Sequence, residues 1–287
     1  MIFCRSAAAL ALFVLSLSIS ALSLPAIPLG PVEIKVSKDF LAGNDTVIYL
    51  EDLESGMVYA VNGKKVEARH PPFSSFKIPN FLIALETGAL DSSEAEIPYD
   101  SARRPAQSYW PADWAQDQTL HTAFQRSAAW AFQDLALKIG TRTYEGYLSH
   151  FAYGNRECKG DGFWLDRSLK ISPKEQVDFL RKLLTDQLEV APVHIDQLKK
   201  AALAKSEDGF RLYGKTGSGP VKSGDFSGPF EGWYVGWLER PDRRPVLFAL
   251  WTTGPDYQSI KSYRQNRVER VLEQAGYLPL NWRVGKD

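Results

Sequence analysis

The chain has 287 residues, long enough to bury a sizeable core in one large domain or two small ones. Lysine plus arginine and aspartate plus glutamate each total 34, so the formal net charge is zero and no basic field for nucleic acid is implied. Cys4 and Cys158 are the only cysteines, and the first lies in an apolar leader, so a mature chain has no intramolecular disulfide and Cys158 is expected as a thiol.

In chain order, Arg5 is followed by an uncharged apolar run from Ala7 to Leu24. This reads as an export signal, with small residues at Ala21, Ser23 and Ala26 suited to cleavage. Residues 1–26 are therefore expected to leave, giving a periplasmic or secreted protein with no membrane attachment. An uncleaved anchor is the competing reading, because the run approaches the roughly 18 residues at which a spanning helix becomes possible.

The segments TVIYLED and MVYAVN, divided by the turn-like LESG, form a candidate β-hairpin. From Phe73 to about Lys200 the pattern becomes helical, with apolar residues at three- and four-residue steps in FLIALETGAL, AFQDLALKIG and PKEQVDFLRKLLTDQL. Strands return in RLYGKTG, GWYVGWLER and PVLFALWTT. A last helix over Ser259–Ala275 sets Ile260, Tyr263, Val268, Val271 and Leu272 on one face and stops at Gly276. The fold class is α+β: an antiparallel sheet built from both ends of the chain and flanked by terminal helices, with a helical region inserted between its strands. Residues 27–287 are expected to form one catalytic domain, the sheet region covering about 30–66 and 205–287 and the helical region about 67–204. The cleft belongs where the regions meet.

Two elements carry chemistry. In FSSFKIPN, Ser74 and Lys77 stand three apart, so on a helix they share a face and the amine reaches the hydroxyl. A desolvated lysine is neutral enough to activate a serine. In YGKTGSG, Lys215 and Thr216 can meet an anionic group, while the small Gly217 lets a substrate lie against the strand edge. Each element alone is weak, with a solvated helix start or an ordinary strand ending in a glycine turn as its bland counterpart. Gly209–Thr216 also satisfies the phosphate-cradling pattern G-x-x-x-x-G-K-[ST]. Its context argues against nucleotide: helix-like QLKKAALAKSE precedes it, and the succeeding GSGPVKSGDFSGP is too rich in Gly and Pro for a helix. His70, His121, His150 and His194 are scattered without metal-ligand spacing, and no G-x-S-x-G elbow is present.

Taken together and in order, these motifs resemble the class D serine β-lactamases. The resemblance rests on Ser74-Ser75-Phe76-Lys77, Ser127 in QRSAAWAFQ, YGN at Tyr153–Asn155, FWL at Phe163–Leu165, Lys215-Thr216-Gly217, and Arg264 in the final helix, with Arg267 nearby. It implies that β-lactams are the small-molecule substrates and that Ser74 attacks the lactam carbonyl, the oxyanion being met by the amides of Ser74 and Ser218. Lys77 would be carboxylated by carbon dioxide or bicarbonate to N6-carboxylysine and would act as base, with no other cofactor and no metal. Trp164 would donate its indole N–H to that group, and Ser127, assisted by Lys215, would relay a proton to the leaving nitrogen. Thr216 and Arg264 would hold the substrate carboxylate, and Tyr153 would contribute to substrate binding. For Trp164 and Tyr153 the plainer alternative is core packing, and for Arg264 a solvated helix charge.

One departure concerns activity: where the family has S-x-V, this chain has Ser127-Ala128-Ala129, so a smaller side chain would wall the carboxylated lysine and admit water more easily. The competing functions are a β-lactam sensor that acylates and barely deacylates, and a penicillin-binding peptidase. Assembly as monomer or homodimer is left open.

Overall fold

The computed structural model describes residues 30–280 together with 282, so the proposed export signal lies outside the described residues. The first strands are β1 (Val32–Glu33), β2 (Asp45–Asp52) and β3 (Val58–Val61), with a short helix α1 (Lys38–Leu41) before β2. The middle of the chain carries α2 (Lys77–Glu86), the small strands β4 (Glu96–Ile97) and β5 (Gln118–Thr119), α3 (Leu120–Arg126), α4 (Ala129–Ile139), α5 (Thr141–His150), α6 (Pro173–Leu184) and α7 (Pro192–Ala202). Then come β6 (Leu203–Glu207), β7 (Phe210–Pro220), β8 (Phe230–Arg240) and β9 (Arg243–Gly254), followed by α8 (Tyr257–Lys261) and α9 (Tyr263–Gln274).

The main sheet runs β1-β3-β2-β9-β8-β7-β6. Its two ends in sequence are joined at its centre, where β2 pairs antiparallel with β9 from Asp45↔Thr253 to Asp52↔Val246. The one parallel contact is the two-residue β1 on β3. Both faces are covered, and β2 is buried continuously from Thr46 to Leu50. Val47 and Tyr49, with Trp233, Val235 and Trp237 of β8 and Leu247, Ala249 and Trp251 of β9, pack into the core formed with the helical region. Ile48, Leu50, Tyr234, Leu238, Phe248 and Leu250 point to the other face, against Val268, Val271 and Leu272 of α9. Alternate residues thus serve opposite layers, as the pleat requires.

Three boundaries differ from the sequence expectation. The helix-like QLKKAALAKSE divides at Ala202, and Leu203–Glu207 is strand β6 paired with Phe210–Tyr213. The cause is the Asp208-Gly209 turn, where both residues have positive φ, 50° and 81°, the geometry that lets a two-residue hairpin follow the strand twist. The final helix is broken at Ser262: Asp256 caps α8 by accepting from Ser259 N at 2.8 Å, and α9 starts at Tyr263. Its apolar face is nonetheless the expected one, with Ile260, Tyr263, Val268, Val271 and Leu272 all buried. Lastly, Ser74 belongs to a 3-10 turn, Phe73–Phe76, that leads into α2.

Gly236 of β8 sits between Gly214 of β7 and Phe248 of β9. A Cβ there would lie 2.0 Å from Tyr213 O and 2.7 Å from Gly214 Cα, both backbone atoms that cannot swing aside. Gly236→Ala is expected to lower stability by about 1–3 kcal/mol through overpacking, read as a reduced midpoint in thermal or urea denaturation.

Candidate active site

The turn that carries Ser74, Phe73–Phe76, is held from several sides. Trp233 Nε1 donates to Pro71 O at 2.8 Å, and Phe73 N donates to Trp164 O at 3.1 Å. Phe73 itself has φ 48°, a left-handed conformation that costs a non-glycine residue about 1–2 kcal/mol and persists only where surroundings impose it. In a 3-10 turn residues three apart eclipse one another. Lys77 Nζ accordingly stands 2.8 Å from Ser74 Oγ.

Lys77 is fully buried and its Nζ lies 5.2 Å from the centroid of the Phe132 ring. Burial, and secondarily the charge of Lys215, hold its amine well below the ordinary lysine range. Lys215 is pushed down to about 7 by burial and then by Arg264, and its Nζ donates to Thr216 O at 3.1 Å beneath the Phe124 ring. Ser127 closes α3 in a left-handed conformation, φ 61°. It stands between the helix that sets Phe124 over Lys215 and the helix that sets Phe132 over Lys77. Ser74, Ser127, Thr216 and Ser218 are partly exposed, whereas Lys77 and Lys215 are buried.

Strand β7 brings the second motif to this turn. Lys215, Gly217 and Gly219 fall on one side by the two-residue strand period. A Cβ on Gly217 would come within 2.7 Å of Pro72 O and Ser75 N and 3.0 Å of Ser74 N; one on Gly219 would enter the Phe73 ring. Gly217 is therefore small at least because the turn that carries Ser74 packs on it. Strand β6 pairs with β7 only over Phe210–Tyr213, so among the described residues no strand covers the edge from Gly214 to Pro220. Arg264, 3% exposed, crosses Gly232 and donates from Nη1 to Gly217 O at 2.6 Å. Burial lowers its guanidinium to about 10. Arg267 turns elsewhere, donating to Phe40 O over the Phe40 and Tyr263 rings.

Two expected site residues lie behind the cleft. Trp164 is fully buried, stacked on Phe76 with centroids 5.5 Å apart, and its Nε1 has no hydrogen-bond partner among the described residues. Tyr153 is also fully buried, so the expectation that it touches substrate is corrected. Its hydroxyl donates to Gln176 Oε1 at 3.1 Å, Gln176 Nε2 donates to Ser75 Oγ at 3.0 Å, and Ser75 Oγ donates to Pro72 O at 2.7 Å. This chain of polar groups supports the turn that carries Ser74 from the core. Sequence reasoning does not single out Ser75 and Gln176, although a glutamine on the apolar face of α6 is a signal, since a buried amide needs partners. Phe124, Phe132 and Trp233 carry no comparable mark. Among the described residues no cluster of three or more His, Cys, Asp or Glu side chains is arranged to hold a metal ion.

Tyr153→Phe removes one link of that chain and leaves Gln176 Oε1 buried without its donor. The expected outcome is a stability loss of about 1–3 kcal/mol, read from denaturation curves.

A family model described as the penicillin-binding protein transpeptidase domain matches residues 46–273. The β-lactamase OXA-20 of Pseudomonas aeruginosa is 30% identical over 249 residues, 86% of this chain and 88% of that protein. Among solved structures, the class D β-lactamase YbXI from Nostoc superposes with a TM-score of 0.76 at 29% identity, covering 83% of this chain and 98% of that one. The C-terminal domain of the Bacillus licheniformis BlaR penicillin-receptor gives 0.78 at 27% identity, covering 88% and 100%. With a serine–lysine pair facing a Lys-Thr-Gly strand, and similarity along most of its length, the chain belongs to the class D β-lactamase family.

Proposed function

We propose that this protein hydrolyses β-lactams through an ester on Ser74, with the Lys77 side chain, carboxylated at Nζ, as the base for both formation and breakdown of that ester. The observation that carries this reading is the 2.8 Å contact between Ser74 Oγ and an amine that is wholly buried. Burial disfavours the ammonium, and only the neutral amine has a lone pair to form an N–C bond to carbon dioxide, giving up one proton as it does so. The residues fit the modification: the unpartnered, buried Trp164 Nε1 is a donor in need of an acceptor, and Phe76 and Phe132 supply apolar walls. When present, the carboxylate would supply an oxygen base near neutral pH.

Ser74 Oγ attacks the lactam carbonyl carbon as its proton leaves toward the end of Lys77. The amides of Ser74 and Ser218 meet the developing oxyanion, and the burial of this region strengthens those hydrogen bonds. The C–N bond then breaks, and the nitrogen takes a proton through Ser127, assisted by Lys215, which burial pushes down to about 7 so that it can both give and accept one. Thr216 and Arg264 orient the substrate carboxylate. Water completes the cycle by attacking the ester carbonyl, losing a proton on the Lys77 side and releasing Ser74 as the hydroxyl. The enzyme works outside the cytoplasm once residues 1–26 have been removed.

Similarity to a penicillin receptor favours a second reading, a sensor that stops at the ester. Incubation with penicillin and subsequent mass measurement separates them: a transient adduct on Ser74 with continued turnover supports hydrolysis, and a burst that stops supports the sensor. No adduct, or one that survives Ser74→Ala, overturns both. Lys77→Ala is expected to lower turnover by about 10²–10⁴-fold, the usual worth of a positioned base.

The pH dependence is set by the sign of the shift. Burial lowers the Lys77 amine, and protonation removes the lone pair that takes up carbon dioxide, so activity is expected to fall as pH falls and to need more bicarbonate there. Ala129, partly exposed at the start of α4 one turn before Phe132, would be part of the same wall. Ala129→Val is expected to reduce the bicarbonate dependence, and identical titrations for both proteins would dispose of that role.

A further inference from the structure

A second polar cluster rests against the nucleophile turn and plays no part in the proposed hydrolysis steps. Its centre is Glu231 on β8, 2% exposed, opposite Gly219 of β7 and Thr253 of β9. One carboxylate oxygen accepts from Arg167 Nη1 at 2.6 Å and the other from Trp251 Nε1 at 3.1 Å. His70 Nδ1 lies 3.7 Å from the second oxygen, its ring stacked on Trp251 with centroids 3.6 Å apart. Burial lowers His70 to about 4 and raises the Glu231 carboxyl, while Arg167, the hydrogen bond from Trp251 and, at longer range, Lys170 oppose that rise and favour its carboxylate. Arg167 Nη1 also donates to Pro220 O at 3.0 Å, at the last residue of β7.

The placement of Arg167 gives the pair its meaning. The loop from residue 163 to 171 carries Trp164 and is tied to the nucleophile segment at two places: Phe73 N donates to Trp164 O, and His70 and Ile171 exchange backbone hydrogen bonds of 2.9 Å. Between these ties Arg167 adopts φ 74°, a left-handed conformation imposed on a non-glycine residue, and sends its side chain to the sheet. Strand β8 is otherwise lined by aromatic and aliphatic residues from Phe230 to Leu238, an environment in which a carboxylate is expensive. Buried ion pairs add little net stability over an apolar replacement, and the better-attested use of such groups is to select one geometry.

We propose that the Arg167–Glu231 pair is a positioning device for Trp164: it clamps the loop to the β7–β8 end of the sheet and holds the indole in the orientation that serves Lys77. This rests on the carboxylated-lysine reading. Neither residue touches substrate; both act through Trp164.

The test uses the whole mature chain with ¹³C-labelled bicarbonate. Occupancy of the labelled group on Lys77 is followed by NMR, alongside the bicarbonate concentration that gives half-maximal turnover and the melting temperature. Arg167→Ala is expected to lower the NMR occupancy and raise the half-maximal bicarbonate concentration by about tenfold, the lower end of what outer-layer partners of a reactive centre are worth. Arg167→Lys, which keeps the charge but not the fork, should fall between this variant and the parent. In a Trp164→Phe background, where the donor is already gone, Arg167→Ala should change neither quantity by as much as twofold. If Arg167→Ala does not fold, Glu231→Gln, which keeps shape and acceptor but removes the charge, is measured in the same way, alone and with Trp164→Phe. Parent-like occupancy and bicarbonate response in the folded variants overturn the proposal whatever the melting temperature, as do effects that multiply with Trp164→Phe. A parent protein with no labelled signal overturns the carboxylated-lysine reading, and the clamp with it; a signal that persists through the variants overturns the clamp alone.

Discussion

An amine placed where water does not reach is the constraint around which the rest of this protein is arranged. Lys77 begins a helix whose residues from Lys77 to Leu85 are all buried, so the charged form of its side chain has no solvent to stabilise it. Neutrality becomes the low-energy state, and the neighbouring hydroxyl of Ser74 lies within hydrogen-bond distance of a group able to take its proton. The geometry is demanding because it depends on a 3-10 turn that begins at a left-handed Phe73. Such a turn would relax toward regular helix if it were not fixed externally. Trp233 from the sheet, Trp164 from its loop, the Tyr153–Gln176–Ser75 chain from the core and the glycines of β7 each remove one direction in which it could move.

The electrostatics arise from the same burial. Lys77, Lys215 and Arg264 are all lowered chiefly by desolvation, and in the two lysines a neighbouring cation adds to it. A site biased in this way attracts an anionic ligand and favours negative charge developing on a carbonyl oxygen. Aromatic rings add to that desolvation, Phe132 lying over Lys77 and Phe124 over Lys215.

Much of this is legible in the residues. The apolar periods of PKEQVDFLRKLL and of the last helix, and the β-branched and aromatic runs of GWYVGWLER and PVLFALWTT, are burial patterns, and burial is what forms those elements. The Asp-Gly turn after β6 is legible too, but the alanines and lysines before it have strong helix propensity and mask the strand, which only its pairing with β7 stabilises. The site divides along a similar line. Ser74, Lys77 and Lys215 announce themselves because their chemistry depends on short spacings. Tyr153 does not, since the same side chain serves a cleft or a core equally well, and only its hydrogen bond to Gln176 distinguishes them. Gly217 shows the converse: its small size is plain in the sequence, but one reason, a backbone turn arriving from far earlier in the chain, is a tertiary fact that no local pattern carries.

The two halves of the site come from regions distant in sequence, yet they share one packed interior. Trp233, Val235 and Ala249 of the sheet belong to the same buried cluster as Phe76 and Phe81 of the nucleophile segment and Phe132 of α4. Because such interiors are close-packed and tolerate little displacement, the distance from Ser74 to β7 is set by the core behind it. A hydroxyl, an amine and a strand edge can then meet without a flexible hinge between them. Preorganisation of this kind is what lets hydrogen-bond donors act on a transition state without first reorganising, and here it is supplied by aromatic packing.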